Sequence, residues 1–222
     1  MTDKFITKPI SEIAARFAPE SPFRTPRVVE LEPPRITLTC VADWTAIFDR
    51  AAPLIVEIGC GGGRALINLA LTQPELNFLG IERAGEYYRF MRDRVITRQI
   101  QNLRVARTDA TYLINRFFPD HCVLAYHIYF PDPWPKKRHR KRRLFTAAFC
   151  ANLKRTLVPN GKLYCATDHL DYYQEILMRL RAVLTVEEHP HPWEDAPEGR
   201  TNYEVKYIRE GRLIHRLIAI YA

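Results

Sequence analysis

Four carboxylates recur at one kind of place in this chain. Glu82, Asp109, Asp132 and Asp168 each stand at the end of a short apolar run. A carboxylate accepts hydrogen bonds from hydroxyl, amino and amide donors and stabilises positive charge beside it, so such a row can hold a polar ligand and steady a developing cation. Asp132 is framed most heavily. It sits in Phe130-Pro131-Asp132-Pro133-Trp134-Pro135, where three prolines fix the backbone, and the next eight positions carry Lys136, Lys137, Arg138, Arg140, Lys141, Arg142 and Arg143. An acidic loop therefore abuts a grip for a polyanion. Upstream, Glu57 leads into Gly59, Gly61 and Gly63, and near the end Thr201-Asn202-Tyr203-Glu204 has the spacing of a capping box.

The elements that position these residues follow from the hydrophobic pattern. Apolar runs at 54–58, 77–81, 103–107, 123–129 and 162–167 read as strands, and the segments between them carry helical spacing at 65–71, 84–98, up to Phe117, 144–157 and 172–184. A further strand is expected at 185–188. A short helix spans 202–210 with Gly211 as its stop, and the apolar run 213–221 enters the sheet antiparallel because no crossover helix precedes it. The predicted fold is α/β: a doubly wound, mostly parallel seven-stranded sheet with an antiparallel last strand, its ligand outside the carboxyl ends of the strands. A helical piece at 44–50 is stopped by Pro53. Residues 1–42 hold Pro9, Pro19, Pro22, Pro26, Pro33 and Pro34 and one amphipathic piece at 10–17, so they read as an arm, partly irregular, ahead of a single domain at 43–222.

Composition narrows the class. With 222 residues and 47% hydrophobic side chains, one large domain can bury a sizeable core. No apolar stretch approaches the roughly 18 residues of a membrane span, and no signal core follows Lys4 and Lys8, so the expected setting is cytoplasmic. The five cysteines are odd in number and scattered without a Cys-x-x-Cys pair, which argues against a disulfide framework. His121, Cys122, His189 and His191 lack a ligand spacing, and no metal is expected. Lys and Arg outnumber Asp and Glu by 33 to 25, but without the seven cations from Lys136 to Arg143 the balance is 26 to 25. The excess charge is one patch, which concentrates the field where a phosphate backbone could dock; on charge alone a solvated loop or helix start, or a local sorting signal, stays open beside that reading.

The glycine loop selects among ligands. A dinucleotide fingerprint starting at Gly59 and Gly61 needs a small residue at 64, where Arg64 stands, so a nicotinamide cofactor is disfavoured. Glu57-x-Gly59-x-Gly61-x-Gly63 instead resembles the first motif of class I methyltransferases that use S-adenosylmethionine. With Phe130-Pro131-Asp132-Pro133-Trp134 and its basic run, Thr167-Asp168, and Thr201-x-x-Glu204, the stretch 54–221 is similar to the bacterial tRNA (guanine-N7)-methyltransferases. The resemblance implies a cofactor site lined by Glu57, Gly59, Gly61, Gly63, Glu82, Asp109 and Asp132, with Glu82 at the ribose and Asp109 near the adenine. It implies a substrate side formed by Lys136, Asp168, Thr201, Asn202, Tyr203 and Glu204, and tRNA as partner, methylated at a guanosine of the variable loop. Pro135 ahead of Lys136 and the density of the basic run depart from the family pattern.

Guanine N7 has a lone pair and no proton, so positioning is the main demand of such a transfer, together with a carboxylate near the purine as it becomes cationic. Asp132 is assigned that role ahead of Asp168. Lys137, Arg138, Arg140, Lys141, Arg142 and Arg143 form the RNA-binding patch, and Trp134 either stacks on a base or covers the sheet edge. Two other readings stay open: a methyltransferase with another acceptor, and a noncatalytic RNA-binding protein on the same fold. Monomer and homodimer are equally open.

Overall fold

The computed structural model describes residues 29–33, 35–196 and 199–222. The amphipathic piece at 10–17 lies outside them. Five parallel strands form the middle of one sheet: β3 (Leu54–Ile58), β4 (Asn77–Ile81), β5 (Leu103–Ala106), β6 (Val123–Tyr129) and β7 (Leu157–Thr167). β9 (His215–Ile220) adds antiparallel to β7, and β8 (Thr185–Glu188) adds antiparallel to β9. Among the described residues the sheet has nine strands rather than the expected seven. The extra pair is a hairpin, β1 (Val29–Glu32) and β2 (Ile36–Leu38), placed antiparallel against β5 with Leu31 opposite Ala106. It lies in the stretch whose prolines suggested an irregular arm; Val29 and Leu31 nonetheless alternate inward and cover an edge that β5 would otherwise expose.

The order is β2-β1-β5-β4-β3-β6-β7-β9-β8. From β3 the chain winds outward through β4 to β5, then returns to β6 on the other side of β3 and continues to β7. The crevice between β3 and β6 is thus the topological switch.

Alternation along each strand decides which helix covers it. Val56, Ile58, Tyr126, Ile128, Leu163 and Cys165 share a core with α1 (Trp44–Phe48), α4 (Ala110–Phe117), α5 (Ala147–Thr156) and α6 (Leu170–Arg181). Ile55, Phe78, Val105 and Ala125 face the other way, toward α2 (Arg64–Thr72) and α3 (Gly85–Thr97), where Leu66, Ile67, Met91 and Val95 are buried. A third cluster gathers Tyr129, Ala166, Trp193 and Ile214 near α7 (Asn202–Arg209). By the same alternation Glu57, His127 and Tyr129 belong to the α2 face, and register makes Glu57, His127 and Tyr164 neighbours across three strands.

Two boundaries moved for local reasons. α5 starts at Ala147 because the Thr146 hydroxyl accepts from Phe149 N at 3.1 Å, while the Tyr172 hydroxyl receives Leu144 N at 3.0 Å ahead of it. β7 begins at Leu157, before the Pro159-Asn160-Gly161 turn, which the strand absorbs as an irregularity between Leu157 and Lys162. Among the described residues no helix is long and apolar enough to cross a membrane, and no group of three or more potential ligands could hold a metal ion.

The entry to β4 is stapled by one amide. Asn102 Nδ2 donates toward the carbonyls of Ala70, Gln73 and Leu76 at 3.0, 3.3 and 3.0 Å. Replacing Asn102 with Leu should lower unfolding free energy by about 1–3 kcal/mol, since those acceptors lose a partner that the buried site cannot replace with water. Urea denaturation measures it, and a midpoint equal to the wild type's would show the staple to be idle.

Candidate active site

At the switch, β3 gives way to a loop whose backbone only glycine accommodates in full. Gly61 and Gly63 have φ of +51° and +73°, and a Cβ on Gly63 would stand 2.7 Å from Met91 Cγ. At Gly61 nothing lies within 4 Å of that position, so the outer side of the loop is open to a ligand. Glu82, just past β4, fixes the loop in place: its Oε2 accepts from Gly61 N at 2.9 Å and its Oε1 from Ala84 N at 2.7 Å. Asp109, just past β5, is exposed and caps α4 by accepting from Tyr112 N at 3.1 Å.

Glu57 lies beneath this loop. It is 3% exposed, and its Oε2 has no hydrogen-bond partner. Burial pushes its carboxyl up to about 8; the Arg200 cation opposes that shift and the Glu82 charge adds to it. An orphaned buried acid, an open glycine backbone and carboxylates at two adjacent strand ends suit a ligand that carries an ammonium group, vicinal hydroxyls and an adenine amine. The chain's residues fit S-adenosylmethionine.

Across the crevice, Phe130 and Trp134 adopt φ of +49° and +41°, a left-handed conformation that persists only where neighbours hold it. Phe130 N donates to Ala166 O at 2.7 Å, and its ring meets those of Tyr207 and Tyr203 with centroids 5.3 and 6.4 Å away. Asp132 is exposed and, among the described residues, has no hydrogen bond or ion pair. Asp168 differs: its Oδ2 takes Arg212 Nη1 at 3.1 Å, and Arg212 also lies over the Tyr207 ring.

The basic run folds into a 3₁₀ helix, Lys137–Arg142, which turns every third residue to the same side. Lys136, Lys137, Arg138, Arg140, Lys141 and Arg142 remain exposed. Arg143 does not. It is 3% exposed, its Nη1 and Nη2 donate to Glu175 and Asp171 at 2.6 Å each, and its Nε donates to Pro133 O at 2.8 Å, so its assignment to the RNA patch is corrected. Trp134 is half-buried with the Arg142 guanidinium 4.9 Å from its ring and His139 edge-on. One of its faces already carries a cation.

The Thr201 hydroxyl caps α7 as expected, accepting from Glu204 N at 3.0 Å. Glu204 reaches back to Arg200 N, at 2.8 Å, rather than to Thr201 N. It is fully buried and its other oxygen takes Arg216 Nε at 2.8 Å, so it secures the segment from inside and presents no face to a substrate. Asn202 and Tyr203 are exposed, and Asn202 Oδ1 receives Arg64 Nη1 at 3.3 Å, which joins α7 to the first residue after the glycine loop.

Arg200 and Tyr129 carried no sequence signal. Arg200 Nη1 donates to the Tyr129 hydroxyl at 2.8 Å, its Nη2 to Asp195, and its guanidinium lies 4.5 Å from the Trp193 ring. The same cation, with burial as the larger cause, lowers His127 to about 3 and keeps it neutral.

The model of a family described as "Putative methyltransferase" matches residues 51–217. The tRNA (guanine-N(7)-)-methyltransferase of Halorhodospira halophila is 38% identical over 184 residues, covering 80% of this chain and 79% of that protein. A protein of the same name from Syntrophotalea carbinolica is 32% identical over 198 residues, covering 86% and 85%. Among solved structures, the 16S rRNA methyltransferase KamB is similar with a TM-score of 0.62 at 12% identity, covering 82% of this chain and 94% of that one, a likeness of fold.

Glu57 yields a pH test. Its carboxyl is raised from 4.5 to about 8 in the folded chain, so the stability present below pH 4.5 is lost as pH climbs through 8. Without ligand, Glu57→Gln should melt at the wild-type temperature near pH 4.5 and above it at pH 9 in scanning calorimetry. A gap that stays constant with pH would show that Glu57 ionises as freely as in the unfolded chain.

Proposed function

The chain belongs to the tRNA (guanine-N(7)-)-methyltransferase family, and from that premise we propose that it transfers a methyl group from S-adenosylmethionine to N7 of a guanosine in the tRNA variable loop. The observation that carries this reading is the placement of Asp132. It is an exposed carboxylate without a partner among the described residues, in the loop after β6, the strand paired with the β3 that leads into the glycine loop, and directly ahead of six exposed cations.

When bound, S-adenosylmethionine would supply an electrophilic sulfonium methyl, whose carbon the N7 lone pair would attack as the carbon–sulfur bond breaks and the thioether S-adenosylhomocysteine leaves. Glu57, Gly59, Gly61, Gly63, Glu82 and Asp109 hold the cofactor side. The glycine backbone admits close approach, and the carboxylates accept from ammonium, hydroxyl and amino donors. N7 carries no proton, so no residue has to act as a base toward it. Asp132 lies beside the purine and stabilises the charge that grows on the ring as N7 bonds to carbon. Asp168 is the weaker candidate for that task because Arg212 already neutralises it. Lys136, Asp168, Asn202 and Tyr203 flank the acceptor, while Thr201 and Glu204 hold their segment in shape. Lys137, Arg138, Arg140, Lys141 and Arg142 meet phosphate.

With methyl-labelled cofactor the protein should label unmodified tRNA and leave free guanosine unlabelled. Asp132→Ala should cut the single-turnover rate on tRNA by about a hundredfold or more. Labelling of guanosine would remove the polyanion from the reaction, and a near-normal Asp132→Ala rate would remove the charge-stabilising role.

The grip has its own test. Exchanging Lys137, Arg138, Arg140 and Lys141 for Gln should flatten the log–log salt dependence of tRNA affinity by up to about three units if all four touch phosphate. A slope equal to the wild type's would place the contact elsewhere.

A further inference from the structure

The Asp132 loop cannot hold itself. Three of the six residues from Phe130 to Pro135 are prolines without an N–H, and Phe130 and Trp134 stand in the left-handed region. A conformation of this kind lasts only if groups outside the loop impose it. On one side Phe130 N is tied to Ala166 O. On the other, among the described residues, the side-chain hydrogen bond onto the loop backbone is Arg143 Nε to Pro133 O at 2.8 Å.

Arg143 is itself fixed on every edge. Glu175 and Asp171 take its two terminal nitrogens, and the Tyr172 ring lies 4.7 Å from its guanidinium carbon. The planar fork serves three directions at once, which a lysine ammonium on a flexible stem does not reproduce. One of its anchors is shared. Asp171 Oδ1 takes Arg140 at 3.0 Å while Oδ2 takes Arg143, because the three-residue turn of the 3₁₀ helix brings positions 140 and 143 to the same side against α6. Arg140 and Asp171 are about half-exposed, whereas Arg143 is buried.

We infer that Arg143 is a positioning residue for methyl transfer, holding the Asp132 loop through the Pro133 carbonyl and connecting it through Asp171 to the exposed RNA grip. A phosphate that draws Arg140 away leaves Asp171 wholly to Arg143, so docking of the polyanion tightens the clamp on the loop. This rests on the methyltransferase reading of the site. If that reading fails, the wild type itself transfers no methyl group to tRNA; if only the clamp fails, the wild type turns over and the variants below match it.

The test separates binding from the transfer step. Arg143→Lys should lower the single-turnover rate at saturating tRNA by about tenfold to a hundredfold, the cost of a loop misplaced by up to about an ångström, with little change in tRNA affinity or its salt slope. Asp171→Asn serves as the second variant because its side chain is half-exposed and removes nothing from the core. It should bind tRNA at least as tightly as the wild type, having lost an anionic charge beside the grip, and still transfer several-fold more slowly. Slower transfer with undiminished binding is a pair of results that neither a lost phosphate contact nor a generally weakened fold produces. Rates within about twofold of wild type at saturation for both variants would overturn the inference. So would an Arg143→Lys defect that appears wholly as weaker binding with a shallower salt slope, which would return Arg143 to the RNA grip. If Arg143→Lys fails to fold, Asp171→Asn decides alone: a wild-type rate overturns the clamp.

Discussion

A reversal of winding direction at β3 and β6 creates the crevice on which everything else depends. Parallel strands deliver their following loops to one edge, and only where the windings diverge do two neighbouring loops part and leave room for a ligand. Here one loop is nearly all glycine and the other half proline. Each is unusual backbone for a reason: the first lets a ligand reach the main chain, and the second keeps a carboxylate from drifting. Both need outside support, from Glu82 on the glycine side and Arg143 on the proline side. Two side chains of opposite charge thus hold the two loops that flank the crevice.

Burial of charge is the second theme. Glu57, Glu204, Arg143 and Arg216 are each under a tenth exposed, which costs free energy unless every lone pair and donor is answered. Glu204 and Arg216 answer each other, and Arg143 has two acids and a carbonyl. Glu57 keeps one oxygen without a partner and is raised toward neutrality as a result. It sits under the glycine loop, where an ammonium would supply the missing partner. The paired charges hold structure, and the unpaired one is the acid that the ammonium of the proposed cofactor would answer.

The strands at 54–58, 77–81 and 123–129 were legible because a run buried on both faces is mostly apolar, each with a single strongly polar residue (Glu57, Asn77, His127), and is closed by Gly59, Glu82 or Phe130-Pro131. The β1–β2 hairpin was hidden by its prolines: its inward residues are only Val29, Leu31 and Leu38, too few to outweigh the turn signals around them. Within the site, the acids could be placed at strand ends but their partners could not, since Arg212, which pairs with Asp168, stands 44 residues from it in sequence. Arg143 misled for a geometric reason. In a run of like charges nothing in the sequence distinguishes the one cation that a 3₁₀ turn directs inward, because the acids that receive it, Asp171 and Glu175, lie about thirty residues downstream. Arg200 was invisible on similar grounds, as its role depends on Tyr129 and Trp193 meeting it across the sheet.

The atom that receives the methyl group is the central claim, and it is open to direct measurement. Unmodified tRNA treated with the protein and S-adenosylmethionine is digested to nucleosides and separated by liquid chromatography with mass detection, and the same digest is mapped by position. The account predicts 7-methylguanosine as the single new nucleoside, arising at one site in the variable loop. A methyl group found on another nucleoside, or on guanine at an atom other than N7, would contradict it, because the crevice would then be serving an acceptor for which Asp132 was not placed.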